Sequence, residues 1–395
     1  MKKDKNTVLL ALTTAAMILP GISKKADANP IDPATTFDYK FSVYEEGALP
    51  SNAFSDKSQK RYTIDANQFK FRTPILNDSE ITLTGVQESM SGASPWYVIP
   101  ELDDNGNLTG KSIQVMSGAT IEEQRSEIGG AFRSYNKNNN AETTISAGYS
   151  SENDYRSLSF GFSGAFYLNQ QLTTLEYGVN TSKDYIDATQ PTRFTPTRPT
   201  NELKNRLGMF AGVSHVLTKN TLVGATISYA LLDGYLSDPY KQSYVVNKLV
   251  RDSRPFWNEQ IALTLMLRQF FPSVNGALHV DYRNFSSTWK VGSQTIDLAW
   301  YQNIGNDWQL IPSVRTYQQT KAEFYQLYYE TTRVDGYYSN DYRLSDFSAN
   351  SVQLKLQKTF ETFKINVSYE KYNSTGDNPG LVSFDYYSLG LSKKF

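Results

Sequence analysis

The sequence predicts an all-β chain: a transmembrane antiparallel up-and-down β-barrel of about sixteen strands, with short periplasmic turns and long extracellular loops. Three observations predict it. Apolar and polar side chains alternate with a period of two along most of the chain, short and long connections take turns with one exception at 291–292, and the last strand runs in alternation to Phe395.

The alternation is plain wherever it is tested. Leu158, Phe160 and Phe162 are separated by Ser159 and Gly161; Leu175, Tyr177 and Val179 by Glu176 and Gly178. The same period carries Ile261, Leu263, Leu265 and Leu267, then Leu278, Val280 and Tyr282. It returns in Val352, Leu354 and Leu356, and in Ile365, Val367 and Tyr369. One face is greasy and the other small or charged, as a strand between two different media requires. Short polar turns are predicted at 74–78, 136–140, 169–171, 218–220, 271–275, 305–307 and 361–363. Outer connections are predicted at 47–60, 89–120, 151–155, 187–200, 236–254, 291–292, 326–342 and 373–382. Fifteen connections make sixteen strands and leave both termini on the periplasmic side, the topology of an outer-membrane barrel. A large secreted sandwich or propeller also alternates, but its outer face should be polar, whereas here the polar face is rich in Gly, Ser and charges, like a lumen.

Residues 1–28 are set aside as a signal peptide. Lys2, Lys3 and Lys5 precede an apolar stretch over 8–20 that is too short to span a bilayer, and Ala26-Asp27-Ala28 supplies a cleavage pattern before Asn29. The expectation is one barrel domain over 29–395 in the cell outer membrane. Removing the leader's five Lys and two Asp takes the net charge from −1 to −4, which offers no basic surplus for nucleic acid. With no Cys and only 2 His, thiolate and His-built metal centres have no material; no metal and no cofactor is expected. The 27 Tyr and 5 Trp suit membrane–water boundaries, and Tyr149, Tyr167, Tyr185, Tyr229, Tyr282, Trp300, Trp308 and Tyr369 lie near strand ends. Pro312 reads as a bulge or a near-end position, since it removes a ladder hydrogen bond.

Candidate functional residues fall into three groups. The first is the lumen: Arg133, Arg268, Asp281, Arg283 and Arg315 lead a mixed-sign inner face that includes Arg61, Asp65, Glu127, Glu176, Arg206, Asp297, Lys321, Lys355 and Glu370. Sixteen strands leave an interior too wide for side chains alone to fill, so such charges hydrate a pore and set its ion preference, or pair as a solvated wall. The second is the loop 89–120, in which Met90-Ser91-Gly92-Ala93 and Met116-Ser117-Gly118-Ala119 stand 26 residues apart. Glu88, Trp96, Tyr97, Glu123 and Arg125 accompany them. Long loops of porin-like barrels fold inward, so these residues read as a constriction, or as paired turns around an Asp103-Asp104-Asn105-Gly106 tip. Two Met without Cys or His make a poor copper site, and the tip lacks the downstream Glu of an EF-hand. The third is Leu389, Leu391 and Phe395, a C-terminal pattern resembling the signal read by the outer-membrane insertion machinery; Lys393 departs from it. His279 with Asp281 suggests general-base chemistry, but i and i+2 on a strand lie nearly 7 Å apart, and no enzyme is expected. His215 falls on the lipid-facing register near a turn.

The two Met-Ser-Gly-Ala segments, Leu236-Ser237-Asp238-Pro239-Tyr240 and Tyr338-Ser339 with Asp341-Tyr342-Arg343-Leu344-Ser345 resemble a Gram-negative outer-membrane β-barrel family known as domain of unknown function 3570. The resemblance implies an outer-membrane barrel and supplies no substrate. It also implies association with small extracytoplasmic systems containing a short lipoprotein and a flavin-attaching enzyme. The expected role is therefore porin-like passage of small solutes, or export of a partner system's product, through a charged lumen. The alternative is a non-conducting barrel that anchors or houses a partner lipoprotein in a redox or export system. Expected partners are outer-membrane lipids, the insertion machinery and a small lipoprotein, with no nucleic acid.

Overall fold

A computed structural model describes residues 31–48, 53–54, 61–93, 95–116, 121–190 and 197–395. The expected signal peptide lies outside these residues, as do Ser117 and Gly118. Sixteen antiparallel strands close into a barrel. In chain order they are β1 (Thr36–Glu46), β2 (Thr63–Leu76), β3 (Ser79–Gly92), β4 (Ile121–Asn136), β5 (Ala141–Ser151), β6 (Tyr155–Leu168), β7 (Thr173–Ile186) and β8 (Glu202–Thr218). They continue as β9 (Thr221–Gly234), β10 (Trp257–Phe271), β11 (Gly276–Ser287), β12 (Gly292–Ile304), β13 (Trp308–Gln319), β14 (Phe347–Thr359), β15 (Phe363–Thr375) and β16 (Ser383–Lys394). Each pairs with its neighbours in sequence, and β1 closes on β16, so no edge is left. Among the described residues no helix is long and apolar enough to cross a membrane.

The alternation in the sequence becomes two faces. Phe162 pairs with Ile145 and Val179, Leu265 with Ala225, and Leu354 with Tyr369; side by side they form an exposed apolar belt. In water such a surface would be costly, whereas against acyl chains it is neutral. Residues of the other parity face the interior. All seven short turns fall where the sequence predicts them, at the end of the barrel that holds both termini. Asn140, Asn169 and Asn275 take positive φ (45°, 51° and 49°) in three of them, a backbone state that Asn tolerates and β-branched residues do not.

Several inward assignments change in the structure. Asp65 pairs with Val43 and Ser89 on the outward face, near the outer end of β2. Arg61 precedes β2 and is buried, and Lys321 follows β13 in a loop. Tyr167 turns inward, where its hydroxyl donates to Glu142 at 2.7 Å, so it is no part of an outer aromatic girdle. Pro312 produces no bulge. It points outward inside β13, and the ladder to β12 breaks over Trp300 and Tyr301, then resumes in the same register.

The outer connections are structured. Inside 89–120, β3 runs on to Gly92, and Pro95–Leu102 pairs with Leu108–Met116 as a hairpin joined by Ala53–Phe54. A second hairpin, Gln242–Val245 with Lys248–Arg251, rises from the loop between β9 and β10.

Candidate functional site

The inner wall is built of charges held in register. Arg268 pairs across the sheet with His279, and its guanidinium donates to both Asp281 oxygens at 2.8 Å. Arg315 donates to Asp297 at 2.5 Å, and Arg133 bridges Glu80 (2.9 Å) and Glu142. Arg72 reaches Glu80 at 2.9 Å and Lys204 reaches Asp184 at 2.9 Å. Arg283 is inward too, over the ring of Phe285 at 5.5 Å. Much of the wall thus pairs with itself. A cluster of cations that does not lies where β14 to β16 meet β1 to β3. There Lys40, Lys70 and Lys355 face a cavity of about 500 Å³, with Gln68, Ser368, Ser388 and one carboxylate, Asp38. None of these three lysines has a carboxylate partner among the described residues.

The outer mouth carries a cap. Arg254 donates to Asp252 at 2.7 Å and to Asp341 at 2.8 Å; Arg343 grips Asp341 and donates to Asp238 at 2.6 Å. Lys241 lies 3.8 Å from Asp341 and donates to the Pro95 carbonyl at 2.9 Å. Three cations and three carboxylates match, as buried ions must. Burial alone would raise the Asp341 carboxyl, but Arg343, Lys241 and Arg254 hold it well below the usual range. Burial lowers Lys241.

The connectivity says where this cluster sits. Its three parent loops leave the rim between β3 and β4, between β9 and β10, and between β13 and β14, spaced six, four and six strands apart round the sixteen. No gap between them reaches half the circle, so they meet only by reaching over the interior. Two further contacts tighten the cap. Asn378, from the β15–β16 loop, donates to the Asn340 carbonyl at 3.0 Å, and Tyr240 donates to Asp154 while accepting from the Thr189 amide at 3.1 Å.

The residues expected at a constriction divide. Glu88 and Met90 face inward on β3; Glu88 pairs with Arg125 at 3.1 Å, and Met90 is buried with Tyr62 and Ile64. Ser91 has outward parity. Gly92 has φ +134°, and an added Cβ would stand 2.3 Å from the Arg61 carbonyl, so the residue ends the strand where the backbones touch. Trp96 and Tyr97 meet at a tilt, ring centroids 5.1 Å apart, in the loop hairpin, whose last residue, Met116, is buried. Glu123 is fully buried at the outer end of β4. The loops over the outer mouth are thus tied together by Lys241, Arg254, Asp341 and Arg343, not singled out as site residues from the sequence. A signal existed in Asp-Pro-Tyr-Lys and Asp-Tyr-Arg, charge and aromatics dense within long loops, but nothing along the chain says that these stretches meet.

His279 and Asp281 do not form a pair. Both Asp281 oxygens accept from Arg268, and the His279 ring packs at a tilt against Tyr301, centroids 4.1 Å apart. His215 points outward near its turn, 2.9 Å from the Thr173 hydroxyl. Leu389 and Leu391 face outward on β16, and the Phe395 amide donates to the Thr35 carbonyl at 2.9 Å.

A family described as "Protein of unknown function (DUF3570)" matches residues 9–385. A search of curated proteins finds no match. Among solved structures, a bacterial polysaccharide outer membrane secretin shares 10% identity over 92% of this chain and 99% of its own, at a TM-score of 0.49. OpdQ of Pseudomonas aeruginosa shares 8% over 92% and 99%, at 0.43, and OpdK of the same organism, solved with vanillate, 8% over 91% and 98%, at 0.41. These likenesses concern the barrel alone.

Proposed function

We propose, for a chain that belongs to the DUF3570 family of proteins of unknown function, that the barrel passes small solutes or a partner system's product across the outer membrane, through a charged lumen whose outer mouth the loop cap gates. The observation that carries this reading is the contrast between the two ends. Lys40, Lys70 and Lys355 face open space in the barrel without carboxylate partners among the described residues, whereas the clustered cations of the cap, Lys241, Arg254 and Arg343, are each matched by an acid. Unpaired cations lining a water-filled passage raise the local concentration of anions, so the preferred solute is anionic. The apolar cluster of Ala322, Phe324, Tyr325 and Leu344 lies within the β13–β14 loop; the contacts described above between the cap's loops are ion pairs and hydrogen bonds, so the loops can part locally.

Planar bilayers test it. Purified barrel should give discrete conductance steps, favouring chloride over potassium, and deleting the hairpin 95–116 should enlarge them. Electrical silence of both proteins, with a lipoprotein co-purifying, would instead support the barrel as an anchor.

A further inference from the structure

The outer rim carries an acidic cluster that passage does not use. Glu123 near the start of β4, and Glu152 and Asp154 in the turn from β5 to β6, bring carboxylate oxygens within 4.8 Å of one another. All three are withdrawn from water: Glu123 is 0% exposed, Asp154 5%, and the Glu152 side chain 3%. Arg125 stands beside them but already serves Glu88 at 3.1 Å and Glu127, and its Nε reaches Glu152 Oε1 only at 3.9 Å. Lys204, further round the wall, is taken by Asp184.

Clustered acids alone would say little. The second observation is Glu152 Oε2, which is buried and accepts no hydrogen bond among the described residues. A carboxylate oxygen held away from water without a donor is a costly arrangement that a cation relieves. Consistent with this, burial together with the charges of Asp154 and Glu123 pushes the Glu152 carboxyl up to about 8.

We propose that Glu123, Glu152 and Asp154 form a binding site for one calcium-sized divalent cation on the extracellular side of the barrel. Oxygen-only ligands select a hard cation. Three carboxylates withdrawn from water favour calcium, which takes many protein oxygens in flexible geometry, over magnesium, which gives up its water reluctantly and demands a near-ideal octahedron. The cation would pin the β5–β6 turn to β4 and, through the hydrogen bond from Tyr240 to Asp154, to the cap. Binding does not depend on the barrel conducting.

The test uses the full barrel in detergent, stripped with a chelator and free of lipopolysaccharide, titrated with calcium chloride or magnesium chloride at fixed ionic strength. We expect one saturable calcium site, at least tenfold tighter than for magnesium, and an upward shift of the unfolding midpoint with calcium. Glu152→Gln should raise the calcium-free midpoint, by removing repulsion, and erase the calcium shift; Asp154→Asn should weaken calcium at least tenfold. Absence of saturable binding, equal response to both metals, or wild-type affinity in either folded variant overturns the proposal. If neither variant regains its heat-modifiable fold, terbium on the wild type decides. Luminescence sensitised by Tyr240 and quenched by added calcium supports the site, and none refutes it.

Discussion

The Arg254 guanidinium donates to Asp341 at 2.8 Å, joining two loops whose residues are 87 positions apart. Asp341 is fully buried and also holds Arg343 and Lys241, so one carboxylate ties the cap together. Asp341→Asn keeps the shape and removes the charge, leaving three cations against two acids. Breaking a buried pair costs about 3–5 kcal/mol, and the loss should fall on the cap. Limited proteolysis should cut the loops 235–256 and 320–346 much faster in the variant, while the barrel keeps its heat-modifiable gel shift. An unchanged cleavage rate would show that the cap does not hang on Asp341.

The same residue sets the cap's acid response. Its carboxyl lies well below the ordinary value of 3.8 because the surrounding cations outweigh burial. A group depressed in the folded state stabilises above its unfolded value and loses that contribution as pH falls through the folded one. Loop proteolysis with an acid-tolerant protease should therefore stay slow from pH 7 to about 5 and quicken only below about pH 4. Opening near pH 6 would place the control elsewhere.

The lumen wall predicts selectivity. Lys40→Glu with Lys355→Glu reverses two of the three unpaired cations around the cavity. The reversal potential in a salt gradient should move from anion preference towards cation preference, with little change in unfolding midpoint because neither lysine has an ion pair to lose. The double variant Arg268→Gln, Asp281→Asn removes a matched pair and should leave the preference nearly where it was.

Much of the fold can be read along the chain. A barrel strand needs opposite faces in different media, so its two-residue period is printed in stretches such as Leu158 to Phe162, and its Asn-bearing turns are local. Errors occur where local pattern loses to pairing. Asp65 follows the polar period yet pairs with Val43 on the outside, near a strand end where charge reaches the headgroups. Tyr167 looks interfacial until Glu142 draws its hydroxyl inward. The cap was hidden for a deeper reason: Pro95, Arg254 and Arg343 lie on three different loops, and only barrel closure brings them over one axis.

Gly92 gives a backbone prediction. Gly92→Ala puts a methyl 2.3 Å from the Arg61 carbonyl at a φ of +134°, a region that costs an L side chain of order 1–3 kcal/mol. The unfolding midpoint should drop, and the drop should vanish at Gly106→Ala, beyond the strain of its own positive φ, where nothing lies within 4 Å.

Insertion into lipid vesicles tests the two-faced barrel most directly, using neighbours on β14. Leu354 lies outward between Pro312 and Tyr369, and Gln353 lies inward, donating to Glu370 at 3.1 Å. Leu354→Arg should lose about 2–4 kcal/mol of folding free energy in the bilayer, whereas Gln353→Arg, facing water beside a carboxylate, should change it by under about 1 kcal/mol. Equal losses at the two positions, or a greater loss at Gln353, would contradict a wall with lipid on one side and solvent on the other.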